Sequence, residues 1–449
     1  MEAIRHRRRL TVGAAATAAA TAVLAVGCGS PVPAASSGAA AGPASSQSPA
    51  GLSPAGQPSA SRPSRPAGGV NSPAQPTSAQ RAAEAIQGPA AVPTAAQLAA
   101  LKAQSAEIAR LSPQQMAGQR VIYSYPGLSV PASLLRMIRR GDVGGIIFFS
   151  ANISGRAQLR AVIRQLIRAN AAATNPARNY PLLLMTDQEG GLVRRLPWAG
   201  PFQSEAQIGA AATPAIAAAL AGSQAAAGLR AVGMNVNLAP VLDVYRQPGN
   251  FDDQFQRSYS MNPAVVSQAA AAFVTAQQSG GVAATVKHFP GLGDATAAQD
   301  TDKVPVRIRL SARTLRSVDE FPYRAAIDAG AKLAMVSWAN YPALDPALPA
   351  GLSPAIIQGE LEGRLGFTGV TITDALGAGA LRAYGSLQER TMLAGRAGMD
   401  ALLCTGLDAL PGWRCVKGLR DGYTDGALPK TAFEAQLAQL LQLRQSLPA

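Results

Sequence analysis

The side chains able to do chemistry in this 449-residue chain collect in a few short segments. Asp187 and Glu189 lie in Asp187-Gln188-Glu189-Gly190-Gly191, followed by Arg195. Asp243 closes Asn237-Leu238-Ala239-Pro240-Val241-Leu242-Asp243, and Arg257 sits in Gln256-Arg257-Ser258-Tyr259. Lys287 and His288 open Lys287-His288-Phe289-Pro290-Gly291, Asp300 and Asp302 fall a little further on, and Asp374 stands in Thr373-Asp374-Ala375-Leu376. Carboxylates can attack carbon or carry a proton, and carboxylates with cations grip hydroxyl groups in pairs. Other chemistries find less support. No His/Cys/Glu cluster has metal-ligand spacing, and no Gly-x-Ser-x-Gly elbow presents a serine nucleophile. The best phosphate-loop candidate, Gly377-Ala378-Gly379, lacks its third glycine. The residues point to a hydrolase that needs neither metal nor cofactor.

Each segment follows a short apolar run. Such runs occur at Arg120 to Tyr123, Gly145 to Phe149, Pro181 to Thr186, Met234 to Leu238, Ala283 to Val286, Leu333 to Val336, Gly369 to Ile372 and Ala401 to Leu403. Helical patterns lie between them. Leu159, Val162, Ile163, Leu166 and Ile167 repeat at helical spacing, and Asn262-Pro263 supplies an N-cap and an N1 proline before Val265, Val266, Ala269, Phe273 and Val274. Eight strands alternating with helices predict an α/β fold, a (β/α)8 TIM-type barrel over residues 97–449, with the active site in loops after the strand C-termini. A doubly wound sheet is the alternative, and the missing phosphate loop counts against it.

In this order and at these strand ends, the segments resemble glycoside hydrolase family 3, specifically its single-domain β-N-acetylhexosaminidase branch, over most of residues 118–405. Only 75 residues follow Asp374, too few for the second sandwich domain of the family's β-glucosidases. The resemblance implies that Asp374 is the nucleophile of a retaining β-N-acetylglucosaminidase, forming a covalent glycosyl-enzyme. It implies that Asp187, Arg195, Arg257, Lys287 and His288 bind the sugar. Read singly, Asp187 and Arg257 could instead be a buried structural ion pair, and His288 a satisfied core histidine. Glu189 reads as tying down its loop and Asp243 as a loop anchor.

One departure from the family pattern bears on the mechanism. Bacterial members of this branch supply the acid/base through an Asp-Ser-His dyad on a mobile loop after strand five. Here that stretch runs Gly291-Leu292-Gly293-Asp294-Ala295-Thr296-Ala297-Ala298-Gln299-Asp300-Thr301-Asp302-Lys303, and the chain's two histidines are His6 and His288. With a two-residue insertion, Asp300-Thr301-Asp302 lies over the dyad, so a carboxyl replaces the imidazole. Asp302 can do that work if burial or a neighbouring carboxylate raises its pKa, with Asp300 as its partner. An acidic solvated loop without a catalytic proton would leave a weak or inactive glycan-binding wall module. A further alternative is transfer of the sugar to phosphate or another acceptor.

The N-terminus reads as an address. Arg5-His6-Arg7-Arg8-Arg9 precedes an apolar stretch from Leu10 to Val26 and then Gly27-Cys28, the layout of a secretory signal. Leu24-Ala25-Val26-Gly27-Cys28 resembles a bacterial lipobox, with Ala25 where leucine is usual, and implies a lipidated Cys28; an ordinary cleaved signal is the alternative. The adjacent arginines also permit a twin-arginine route. The apolar run falls short of the ~20 residues a membrane span needs. Residues 29–96, rich in Ala, Pro, Ser, Gly and Gln, lack the apolar surface to offset chain entropy and predict a disordered spacer. The expected protein is therefore extracytoplasmic and lipid-anchored to the cell membrane, or secreted if Cys28 carries no lipid.

Of the net charge of +14, residues 85–449 keep a surplus of nine basic groups, scattered without a Lys/Arg run or basic-aromatic motif. That suits an anionic wall or membrane and argues against nucleic acid. An amino-sugar glycan is the expected partner, met by a monomer. Cys404 and Cys415 are read either as a disulfide or as a buried thiol pair. Replacing Cys28 by Ala should move the protein out of the membrane fraction; recovery of the variant with the membranes, in parent-like amount, would contradict the anchor.

Overall fold

The computed structural model describes residues 95–406 and 410–448, so Cys28, the signal segment and nearly all of the expected spacer lie outside the described residues. Eight parallel strands form the expected barrel: β1 Val121–Tyr123, β2 Gly145–Ile147, β3 Leu183–Thr186, β4 Val236–Asn237, β5 Ala283–Phe289, β6 Leu333–Val336, β7 Val370–Thr373 and β8 Leu402–Cys404. They pair in chain order, and β8 returns to β1 with Leu402, Leu403 and Cys404 opposite Val121, Ile122 and Tyr123. A parallel bridge between Ile372 and Ala401 joins β7 to the residue before β8 and closes the ring.

Side-chain alternation along the strands builds two apolar layers. Ile122, Ile147, Leu183, Met185, Val236, Leu333, Met335 and Ile372 pack together in one cluster, and Leu440, Leu443 and Leu447 join them from the C-terminal end of the chain. These last residues belong to or follow the helix Lys430–Ser446, whose Arg444 donates to Pro181 O, Tyr180 O and Gln119 Oε1, just before β3 and β1. The helix thus covers the N-terminal end of the barrel and leaves the opposite end for chemistry. The complementary strand residues, including Val121, Tyr123, Ile146 and Leu184, pack outward under the helices.

Local signals act as their chemistry dictates. Asn262 caps the helix Pro263–Ser279 by accepting from Ala264 N at 2.9 Å, and Val266, Ala269, Phe273 and Val274 are buried on one face. In the helix Arg156–Ala171, Leu159, Val162, Ile163 and Leu166 are buried, but Ile167 is 41% exposed, one position past the apolar stripe. The fifth strand extends three residues beyond its expected end, so Lys287 and His288 are strand residues. Among the described residues no helix is long and apolar enough to cross a membrane.

Cys404, the last residue of β8, is bonded to Cys415 in the helix Leu410–Thr424, and both are buried. A bridge closing so short a loop contributes about 2–3 kcal/mol through the entropy of the unfolded chain. Thiol titration of the unfolded, unreduced protein should find neither cysteine free, and Cys415→Ser should lower the unfolding free energy by about that amount. Two reactive thiols and an unchanged unfolding midpoint would contradict the bridge.

Candidate active site

The segments singled out in the sequence converge at the C-terminal ends of β3, β4, β5 and β7. After β3 the chain folds into a two-stranded ribbon, Gln188–Gly190 against Val193–Arg194. Buried Gln188 builds it: its backbone is clasped by the Asn237 amide on β4, and its own amide donates to Ala199 O and Gly200 O and accepts from Leu196 N. Gly190 turns the ribbon at φ +126°, where a Cβ would lie 2.3 Å from Gln203 O. This framework fixes Asp187 just before the ribbon and Glu189 within it.

Both acids meet cations brought in from other strands. Glu189 takes Arg257 in a two-point grip at 2.8 and 2.9 Å and Lys287 Nζ at 2.7 Å, while Lys287 also donates to Asp187 at 2.9 Å. Arg195 Nε lies 3.9 Å from Asp187 on the outer side. Arg257 therefore pairs with Glu189, and Asp187 pairs with Lys287. Burial alone would raise the Glu189 carboxyl, but the Arg257 and Lys287 charges and hydrogen bonds reverse this and hold it at about 2. Lys287 and Arg195 keep Asp187 below its ordinary value against its own burial, and the Glu189 and Asp187 carboxylates raise Lys287 against its burial.

His288 is held as firmly. Its Nδ1 lies 2.7 Å from Asp243 Oδ2, and Asp243 Oδ1 accepts from the His288 and Leu292 backbone amides. On the other side Nε2 is 3.5 Å from Arg257 Nη2, an atom that only donates, which assigns the Nδ1 proton to the Asp243 bond. Asp243 thus fixes both the loop and the imidazole. Asp252, which the sequence did not single out, is fully buried 3.7 Å from Arg257 Nη1, and burial followed by the Asp243 charge pushes it to about 7. Its clue was position: it precedes Arg257 by five residues in the β4 loop. Glu205, also missed, accepts from Val241 N at 3.0 Å, and burial and then the Glu189 charge raise its carboxyl well above the usual range.

The sequence showed no metal-ligand spacing, but the fold brings ligand atoms of Asp243, Asp252 and His288 within 4.8 Å of one another. Asp243 is committed to three hydrogen bonds there, and the Arg257 guanidinium stands beside the other two.

Asp374 follows the last residue of β7 and is half-buried; its Oδ1 accepts from Ala375 N at 2.6 Å, and Trp338 Nε1 holds the turn through Ala375 O at 2.9 Å. The long loop after β5 returns residues 300–302 to this place. Asp300 braces the turn, accepting from Asp302 N at 3.0 Å and binding Lys303 Nζ at 2.9 Å. Residue 302 keeps an exposed face, but protein crowds its carboxyl. That desolvation, then the charges of Asp374 and Asp300, raise Asp302 to about 7, against the opposing pull of Arg257 and His288. Asp294, the other acid of this loop, has its charge felt instead at Asp319, which burial raises to about 7 beside Arg246.

A closed (β/α)8 barrel with a strand-end carboxyl beside a loop carboxyl raised to about 7, next to a cluster of paired acids and cations, is the architecture of a glycosidase. The comparisons agree. Residues 113–443 match the glycosyl hydrolase family 3 N-terminal domain, and the chain belongs to that family. It is 46% identical to an uncharacterised secreted glycosyl hydrolase of Arthroderma benhamiae over 334 residues, covering 74% of this chain and 93% of that one. It is 35% identical to a beta-hexosaminidase of Stenotrophomonas maltophilia, covering 62% of this chain and 80% of that protein. The solved family 3 beta-N-acetylglucosaminidase of a Paenibacillus species superposes with a TM-score of 0.70 at 32% identity over 75% of this chain; the match spans 62% of that longer protein.

The ion cluster makes a stability prediction. Unfolded, Glu189 takes up a proton near 4.5, whereas folded it resists to about 2. Its contribution is therefore complete above pH ~4.5 and lost as the pH falls from there to ~2. Unfolding midpoints measured across this window should fall steeply in the parent and more gently in Glu189→Gln; equal slopes would contradict the assignment.

Proposed function

We propose that the protein is a retaining β-N-acetylglucosaminidase that removes terminal N-acetylglucosamine from cell-wall muropeptides or related glycans outside the cytoplasm. The observation that carries the mechanism is the raised carboxyl of Asp302 beside Asp374. Asp374 attacks the anomeric carbon as Asp302 gives its proton to the departing glycosidic oxygen, so the C–O bond breaks and an ester to Asp374 forms. Asp302, now a carboxylate, takes a proton from water, which attacks the same carbon and releases Asp374. Asp187, Arg195, Arg257, Lys287 and His288 line the sugar position. Glu189 and Asp243 position them without needing to touch substrate, and Asp300 tunes Asp302.

The amino-sugar preference rests on the beta-hexosaminidase and beta-N-acetylglucosaminidase relatives, and the wall setting on the export signal and the dispersed positive charge. The secreted Arthroderma relative supports an extracellular location, and the Cys28 anchor adds a membrane tether. With the glycosyl-enzyme formed and Asp302 ionised, an incoming phosphate would meet a negative charge, which favours water as acceptor.

Asp374→Asn should lower turnover by on the order of 10⁴-fold while the protein still folds; near-parental activity would end this mechanism. Asp302→Ala should lose about 10²- to 10⁴-fold on substrates with poor leaving groups, much less in nitrophenyl glycoside cleavage, and should form the β-azide product when azide is added. Parental turnover on poor leaving groups should fall as the pH rises past about 7, and that limb should be absent in Asp302→Ala. Equal losses on both substrate types without azide product would transfer the role elsewhere.

A further inference from the structure

The glycine pair that fails as a phosphate loop has another use. Gly379 begins a short 3-10 helix, Gly379–Tyr384, five residues after Asp374. The opening amides of such a helix have no partner within it. Here they reach across to the acid/base loop: Gly379 N donates to Asp302 O at 2.7 Å, and Ala380 N to Thr301 O at 3.1 Å. The approach is close enough that a Cβ on residue 379 would stand 2.1 Å from the Lys303 carbonyl oxygen. Only glycine fits there without moving the loop.

The rest of the loop is held further away. Upstream, Arg246 N and Phe251 N bind Gly293 O and Ala295 O, both at 3.0 Å. Downstream, Val306 and Ile308 exchange bonds with Asn340 at 2.9 Å. Thr301 and Asp302 lie between these attachments, and their carbonyls are tied to the turn that carries Asp374. We propose that Gly379 is a positioning residue: its amide and its missing side chain set the place of the Asp302 carboxyl relative to Asp374, so that nucleophile and acid/base move as one unit. This rests on the reading of Asp302 as the acid/base.

With alanine at 379, the loop must retreat by roughly an ångström, a misplacement that costs about 10²-fold when it falls on a catalytic group. The signature should be that of a displaced proton donor. Gly379→Ala should lose about 10- to 100-fold on a poor-leaving-group N-acetylglucosaminide, keep nitrophenyl glycoside cleavage within about 3-fold, and shift the limb near pH 7. Gly377→Ala is the matched control, since residue 377 is exposed and its Cβ would meet only Thr405 O at an ordinary 3.6 Å; it should behave as the parent.

Hydrogen exchange of the parent protein gives an arm that needs no variant. The Gly379 and Ala380 amides should be protected, and rapid exchange at both would overturn the proposal even if Gly379→Ala failed to fold. Parental behaviour of a folded Gly379→Ala would overturn it too, as would an equal loss on both substrates. If Asp302→Ala itself shows no leaving-group dependence, the acid/base reading falls, and the Gly379 proposal falls with it, whatever the amides do. If Asp302→Ala shows the dependence and Gly379→Ala does not, the positioning role alone is wrong.

Discussion

Asp302 lies where ionisation of its carboxyl is disfavoured, and the proposed chemistry of the site depends on that. Crowding by protein disfavours a charge on Asp302, and the Asp374 charge adds to the effect. The imidazole expected from the family resemblance is absent from this loop, and His288 is bound on both ring nitrogens. Under the proposed mechanism the proton near neutrality then comes from a carboxyl. In the proposed mechanism the raised Asp302 carboxyl and Asp374 have two distinct duties, the general pattern of acid/base assignment in glycosidases.

The neighbouring ion cluster is nearly balanced in charge. Asp187 and Glu189 oppose Lys287 and Arg257, and Asp243 orients His288. Buried charges of this kind contribute little net stability, and removing one partner leaves another exposed to a low dielectric at a cost of about 3–5 kcal/mol. Their value under the proposed function is rigidity: the guanidinium and ammonium groups are held in place before a sugar arrives, which lowers the ordering needed on binding. The bottom of the barrel, plugged by the helix Lys430–Ser446, lets the opposite end carry these buried charges on a packed apolar base.

Much of this was legible in the chain. Apolar runs ending in polar, glycine-rich turns marked all eight strands, because a strand buried on both faces must be apolar and its loop must not be. Asp187, Lys287, His288 and Asp374 were visible because each lies within two residues of the end of such a run, in segments that resemble the family's. Partner choice was not. Arg257 meets Glu189 across 68 residues, and nothing in either segment prefers that pairing to one with Asp187. Asp252 looked like an ordinary loop acid, since its burial comes from the packing of the β4 loop. Two cysteines eleven apart left the disulfide open, because spacing does not say whether a strand end and a helix bring the sulfurs together. Gly379 resembled part of a nucleotide loop because its actual neighbour, Lys303, lies on a different loop.

The shared electrostatics of the two carboxyls can be read directly. Carbon-13 NMR titration of the aspartate carboxyls, in the parent protein and in Asp374→Asn, follows Asp302 itself. Asp302 should titrate near 7 in the parent and clearly lower once the Asp374 charge is removed. A value close to the ordinary 3.8 in both proteins would contradict the account of how this enzyme holds its proton.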